Sequence, residues 1–199
     1  MKKLFFVSLL MGASYLTAQN NARVLTADEL QQEKQKIALM QISGMVGEVL
    51  FEEKQSFYVK GQNFSSFTVI PIRYNYQSAE MSGARYRCSV VISFRDLAPY
   101  RIDTIGYGWA EIPECNGVKA IIVMDMEKEH MPRILLNYST SIRDEDLTAP
   151  MVLDWDAASG RYVADEKLSE HLEDAHGTDT IAGMKRALRA YDEAHKRRK

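Results

Sequence analysis

Hydrophobic residues recur at helical spacing in the first part of the chain. Thr26 and Glu29 have the form of a capping box, with the threonine at the N-cap and the glutamate three residues on. The apolar positions that follow recur with a period near 3.6 and face a charged side formed by Glu29, Glu33, Lys34 and Lys36. This pattern predicts helix over residues 26–54. Gly44 and Gly47 predict that the segment bends or divides into two helices.

The pattern changes over residues 64–164, where β-branched and aromatic residues alternate in part with polar ones and turn residues separate the runs. Pro71 cannot donate to a ladder, so its run is predicted to be an edge strand or to carry a bulge. Short connections favour an antiparallel meander of about five to seven strands. The predicted strands are Ser66–Tyr76, Arg85–Phe94, Arg101–Ile112, Val118–Asp125, Arg133–Ser141, Met151–Trp155 and Arg161–Ala164.

Helical spacing returns over residues 165–196. Asp165–Ala175 forms one predicted helix, and Thr178 or Asp179 opens a second one that ends in a basic tail at 195–199. Helix, sheet, then helix is an α+β pattern. We therefore predict a single α+β domain over residues 19–199, with an N-terminal helix and two C-terminal helices flanking the sheet and the helices covering one of its faces.

Residues 1–18 have the form of a secretory signal peptide. Two lysines precede an apolar run of about 13 residues at Leu4–Leu16, and small residues end at Ala18. An uncleaved N-terminal anchor is the alternative, since the residue at position −3 is large. Cleavage near Ala18 predicts a periplasmic or secreted protein with no integral membrane segment. It also changes the formal net charge from −2 to −4, which gives no reason to expect nucleic-acid binding.

Cys88 and Cys115 are the two cysteines of the chain. In an oxidising compartment an even pair predicts a disulfide, and closing this loop stabilises the fold by about 3 kcal/mol. The alternative is a reactive thiol, which needs a neighbouring base that the sequence does not show near either residue.

Metal ligation is considered for the loop Asp125–Ile134. Asp125, Glu127 and Glu129 fall on positions 1, 3 and 5 of a pattern that resembles a degenerate FG-GAP or VCBS calcium loop. His130 stands where that pattern needs a glycine. The resemblance implies a strand–turn–strand shape, and an ordinary charged hairpin loop is the favoured interpretation, so no metal site and no cofactor are predicted.

Paired carboxylates are the acidic candidates for catalysis. Asp154 and Asp156 would share one face of a strand, and Trp109 and Trp155 could supply the aromatic platform of a glycosidase-like site. No nucleophile-elbow, penicillin-binding or phosphate-loop motif occurs in the sequence. Solvated loop acids are the simpler interpretation, and no catalytic residue is predicted.

Aromatic residues crowd the region of the predicted edge strand, and Phe64, Phe67, Tyr74 and Tyr76 are the candidate interface. The alternative for these rings is the inner face of a sheet. We expect an exported, non-enzymatic protein that binds a protein of the cell envelope, with an immunity protein or inhibitor for a toxin or envelope hydrolase as the specific form. The alternatives are a glycosidase-like envelope hydrolase that uses the acidic residues, and an envelope-assembly factor that binds through the edge strand.

Overall fold

A computed structural model describes residues 21–61, 63–77, 84–110, 114–124, 131–142 and 145–196. The predicted signal peptide and the acidic positions Asp125, Glu127 and Glu129 lie outside these residues. Both predictions therefore remain untested.

Ten strands, three helices and two short 3₁₀ turns make up the described part of the chain. In chain order they are β1 (Ala22–Val24), α1 (Ala27–Ala38), β2 (Met45–Phe51), a 3₁₀ turn (Glu53–Gln55), β3 (Phe57–Val59), β4 (Phe67–Tyr76), β5 (Arg85–Phe94), β6 (Tyr100–Asp103), a 3₁₀ turn (Gly108–Ala110), β7 (Glu114–Met124), β8 (Arg133–Ile142), β9 (Glu145–Asp156), β10 (Arg161–Ala164), α2 (Glu166–Asp174) and α3 (Ile181–Lys196).

The strands form two antiparallel sheets. The six-stranded sheet has the order β1-β3-β4-β5-β6, and β2 pairs with the other half of β4. The four-stranded sheet has the order β10-β9-β8-β7. The α+β class with antiparallel strands is thus confirmed, but the prediction of a single sheet covered on one face is wrong. The two sheets pack face to face, α1 covers the outer face of one, and α2 and α3 cover the outer face of the other.

The chain leaves the first sheet where a longer strand was predicted. The run Arg101–Ile112 was expected to be one strand, yet β6 ends at Asp103 and the chain turns through Gly106 and Gly108. Both glycines have positive φ, 91° and 51°, which β-branched or bulky residues rarely adopt. The turn therefore ends the pairing with β5 and directs the chain into the second sheet.

Strand β4 lies at the centre of the fold and is buried on both faces. Phe67 and Val69 point between the sheets, whereas Ile70, Ile72 and Tyr74 point towards α1. This double burial explains why the sequence shows only partial alternation there, because neither face needs polar residues.

The predicted edge position of β4 is wrong, and the backbone explains how a central strand contains Pro71. The Pro71 carbonyl accepts from the Glu52 amide, so its nitrogen faces the same side of the strand. On that side, the pairing of β2 with β4 ends at Ile72 and the pairing of β3 with β4 begins at Val69. The 3₁₀ turn Glu53–Gln55 separates β2 from β3. The missing N–H of the proline thus falls where the neighbouring strand is interrupted.

The N-terminal helix is shorter than predicted. The capping box at Thr26 and Glu29 is present, but α1 ends at Ala38 and β2 takes up residues that were expected to be helical. Gly44 and Gly47 have φ of 74° and 80°. A Cβ at Gly44 would overlap the ring of Tyr76, so glycine allows the close approach of the turn to β4.

The disulfide between Cys88 and Cys115 is confirmed. It joins β5 to β7 and therefore connects the two sheets, with both residues fully buried. Among the described residues, no helix is both long enough and apolar enough to cross a membrane.

Candidate binding groove

A groove of about 680 Å³ opens at the end of the sandwich where β4 begins and β5 ends. Its walls come from the β3–β4 connection, the β5–β6 connection and the inner face of β9. The lining residues are Tyr58, Asn63, Phe64, Ser65, Ser66, Phe94, Arg95, Asp96, Leu97, Met131 and Trp155.

Aromatic contacts fix the walls of this groove. Phe94 is the last residue of β5, lies opposite Phe67 in the sheet register and meets the Trp155 ring edge-on at 6.0 Å between centroids. Trp155 in turn contacts Tyr162 at 5.4 Å, and Phe64 contacts Phe67 at 6.0 Å. Because these rings also pack in the core, the groove is formed before any ligand arrives.

The rim of the groove combines one exposed leucine with polar groups and is close to neutral in charge. Leu97 is 62% exposed although it is a large hydrophobic residue. Arg95 and Asp96 beside it contribute opposite charges, and hydroxyl and amide groups line the opposite wall. Such a surface can bury apolar side chains of a ligand while its polar groups meet backbone amides and carbonyls.

A second cleft of about 280 Å³ continues the groove beneath α1. Tyr58, Ser66, Phe94 and Arg95 line both cavities, so the two are contiguous. The remaining lining residues of the second cleft are Leu25, Glu29, Gln32, Glu33, Lys36, Phe67, Thr68 and Ser93.

The predicted interface residues are dispersed through the fold. Phe64 lines the groove, but Phe67 is 1% exposed between the sheets and Tyr74 is fully buried. These two rings offer almost no exposed surface to a partner, because they belong to the core. Tyr76 is half-buried at the opposite end of the sandwich.

At that opposite end, tyrosines and an arginine form a second polar cluster. The Tyr74 hydroxyl hydrogen-bonds the Tyr107 hydroxyl, and the Arg87 guanidinium lies 3.5 Å from the ring centroid of Tyr76 and 4.4 Å from that of Tyr107. Burial raises the pKa of Tyr74. These contacts join β4 and β5 to the turn after β6 and therefore stabilise this end of the fold.

Asp154 and Asp156 do lie on one face of β9, but both are held by contacts of the fold. Asp154 accepts from Arg133 at 2.9 Å, and Arg133 also pairs with Asp192 of α3 at 3.2 Å. Hydrogen bonds from the Ser159 side chain and the Ala158 amide lower the pKa of Asp156 at the β9–β10 turn. Neither carboxylate lines the groove, because Trp155 between them points to the other face.

Within the described ranges, no group of three or more histidine, cysteine or acidic residues could hold a metal ion. The strands on either side of the loop that resembles a calcium loop pair antiparallel, with Met124 opposite Arg133. His171 and His195 both contact the ring of Tyr191, at 4.8 and 3.9 Å between centroids. His171 of α2 therefore packs against α3, whereas His195 stacks on a residue of its own helix.

Sequence reasoning singled out Phe64 and Trp155 but missed Leu97, Glu33 and Thr68. Leu97 follows a charged pair in a predicted turn, where a lone leucine carries no periodic signal. Glu33 was placed on the charged face of the helix, yet its side chain is buried. An acid within an amphipathic helix gives no sign in the sequence that it faces the sheet.

Comparison of this chain with protein-family models, with curated proteins and with solved structures finds no match. Fold analogy therefore contributes nothing to the assignment of function. Any proposal depends on the geometry and chemistry of the groove itself.

Proposed function

We propose that this is an exported protein that binds another protein through the groove at the end of its sandwich. The observation that supports the proposal is an aromatic-walled groove with an exposed leucine, Leu97, on its rim. Aromatic side chains that are held in place dominate binding energy at protein interfaces.

The groove fits one or two side chains of a protein segment with its backbone along the polar wall. The rings of Phe94 and Trp155 are fixed by the core, so binding costs little side-chain entropy. Its near-neutral rim gives no general attraction for nucleic acid. A small apolar anchor with hydrogen bonds around it is the arrangement typical of interface centres.

The specific form that we propose is an inhibitor or immunity protein that acts on a toxin or hydrolase of the cell envelope. The predicted signal peptide supports this choice. The hydrolase alternative loses support because Asp154 and Asp156 are held outside the groove. The alternative of an envelope-assembly factor that binds through its edge strand loses support, because β4 is a central strand.

The test is purification of the mature protein from the periplasm after crosslinking, in parallel with two leucine variants. Leu97→Asp places a charge on the groove rim, and Leu39→Asp is the matched control, because Leu39 is 85% exposed and lines neither cavity. We expect a stoichiometric partner that Leu97→Asp loses and Leu39→Asp retains. Co-expression should then suppress the toxicity or hydrolysis of that partner.

Equal retention of the partner by both leucine variants would show that the groove is not the contact surface. A hydrolytic activity that is abolished by Asp154→Asn or Asp156→Asn, with no partner recovered, would overturn the binding proposal itself.

A further inference from the structure

The cleft beneath α1 contains a buried carboxylate with a free acceptor. The Glu33 side chain is only 9% exposed, although it belongs to a surface helix. Its Oε1 accepts from Lys36 Nζ at 2.6 Å. Its Oε2 is buried and has no hydrogen-bond partner among the described residues.

Thr68 adds a second unsatisfied group to the same cleft. It lies on the outer face of β4, opposite Ser93 of β5, and its Oγ1 is buried without a partner in the described structure. Two buried polar oxygens without partners are costly, because each has lost its hydration and gained nothing in exchange. Their presence together in a cleft indicates a place where a hydrogen-bond donor binds.

We infer that this cleft binds a guanidinium group, in the form of an arginine side chain. A carboxylate prefers a charged donor, since charge-assisted hydrogen bonds are about twice as strong as neutral ones. The planar guanidinium carries five donors, so a single group can donate to both Glu33 and Thr68, which line the same cleft.

Lys36 makes the site accessible. Its side chain is 47% exposed, so its ammonium can move into solvent and leave the Glu33 carboxylate to the incoming group. Glu29, which also lines the cleft, is already bound by Arg23 through two bonds of 2.6 and 2.7 Å. Glu33 is therefore the carboxylate that a ligand can engage.

The inference rests on the proposed function in one respect, namely that the arginine belongs to the protein partner. A segment lying in the aromatic groove would reach the cleft past Tyr58 and Phe94, which both cavities share. The site itself is independent of that source, because a free small molecule with a guanidinium carries the same chemistry.

The site is tested by titrating the purified mature protein with Nα-acetyl-L-arginine amide, followed by NMR of its backbone amides. The uncharged control ligand is Nα-acetyl-L-citrulline amide, which keeps the shape of the arginine. We expect saturable shifts at Glu33, Thr68 and Ser93 with the arginine ligand, and binding of citrulline weaker by about tenfold or more.

Three variants locate the interaction. Glu33→Gln should weaken arginine binding by about tenfold or more, and Thr68→Val by a few-fold, since the valine keeps the shape and removes the acceptor. Glu53→Gln is the matched control, because Glu53 is 60% exposed, pairs with Lys34 and lines neither cavity. This control should bind like the wild type. Thr68→Val keeps the test valid if Glu33→Gln fails to fold.

Absence of saturable shifts at these amides, equal binding of citrulline and arginine, or unchanged affinity in both cleft variants would each overturn the guanidinium site. Free L-arginine separates the two sources of the ligand. Affinity for the free amino acid at least tenfold above that for the capped ligand would contradict a protein-borne arginine and leave the site in place. Loss of the partner in Leu97→Asp with unchanged arginine binding would show that groove and cleft act separately.

Discussion

Reduction of the disulfide gives a quantitative test of how the two sheets are held together. The bond joins Cys88 of β5 to Cys115 of β7, 27 residues apart in the chain, and both residues are fully buried. In the reduced protein the two sulfurs still fill their place between the sheets. Reduction therefore removes the covalent link and leaves core volume almost unchanged.

The expected loss follows from the length of the closed loop. On the chain-entropy account, a loop of this length lowers the free energy of unfolding by about 3–4 kcal/mol when it is opened. For a protein of this size that corresponds to a fall in Tm of roughly 6–15 °C. The variant Cys88→Ala with Cys115→Ala should lose about 1–2 kcal/mol more, because it also removes two buried sulfurs.

The assay is urea unfolding followed by tryptophan fluorescence, with the oxidised protein, the reduced protein and the double alanine variant under one set of conditions. The reduced sample must be unfolded and refolded in reductant, because the reductant cannot reach a fully buried bond. If the free energies of unfolding of the oxidised and reduced proteins differ by less than about 1 kcal/mol, the entropic reasoning is refuted. Equal stability of the reduced protein and the double alanine variant would refute the expectation that the two buried sulfurs stabilise the fold by packing.

Three further predictions concern single side chains. The Arg23 side chain and the Thr26 cap lower the pKa of Glu29 to about 2. The stabilisation that its charge gives to the folded state should therefore be complete above the ordinary pKa of 4.5 and lost as the pH falls towards 2. In urea unfolding over this pH range, the free energy of unfolding of Glu29→Gln should fall less than that of the wild type. Asp154→Asn should lower the free energy of unfolding by about 1–3 kcal/mol, because it removes one of the two carboxylate charges that pair with buried Arg133, and an unchanged midpoint would contradict this. Pro71→Ala should cost less than about 1 kcal/mol, since its restored N–H faces the interruption between strands; a loss of several kcal/mol would refute that explanation.

Sequence patterns over a few residues predicted the elements that form through interactions between neighbouring residues. The capping box at Thr26 formed as expected, and so did the two C-terminal helices and most strand boundaries. The predicted N-terminal helix was too long because Met45–Phe51 has an apolar pattern that suits either structure, and its pairing with β4 decides the outcome. Such long-range pairing leaves no trace in a window of a dozen residues.

The candidate site was less predictable than the fold. Trp155 could be singled out as an aromatic platform, but the groove also depends on Phe94 and on two loops brought together by the packing of the sheets. The burial of Glu33 depends on how α1 lies on the sheet. Relations of this kind follow from tertiary structure, so spacing along the chain does not reveal them.

The two ends of the sandwich are held by different interactions, and this difference bears on function. Cys88 lies six residues before Phe94 on β5, about 20 Å away, so the covalent link between the sheets is far from the groove. At the groove end, aromatic contacts such as that of Phe94 with Trp155 join the sheets. These rings also pack in the core, so they hold the groove in shape without a covalent link. The groove is therefore a preformed surface, which keeps the entropic cost of binding a partner low.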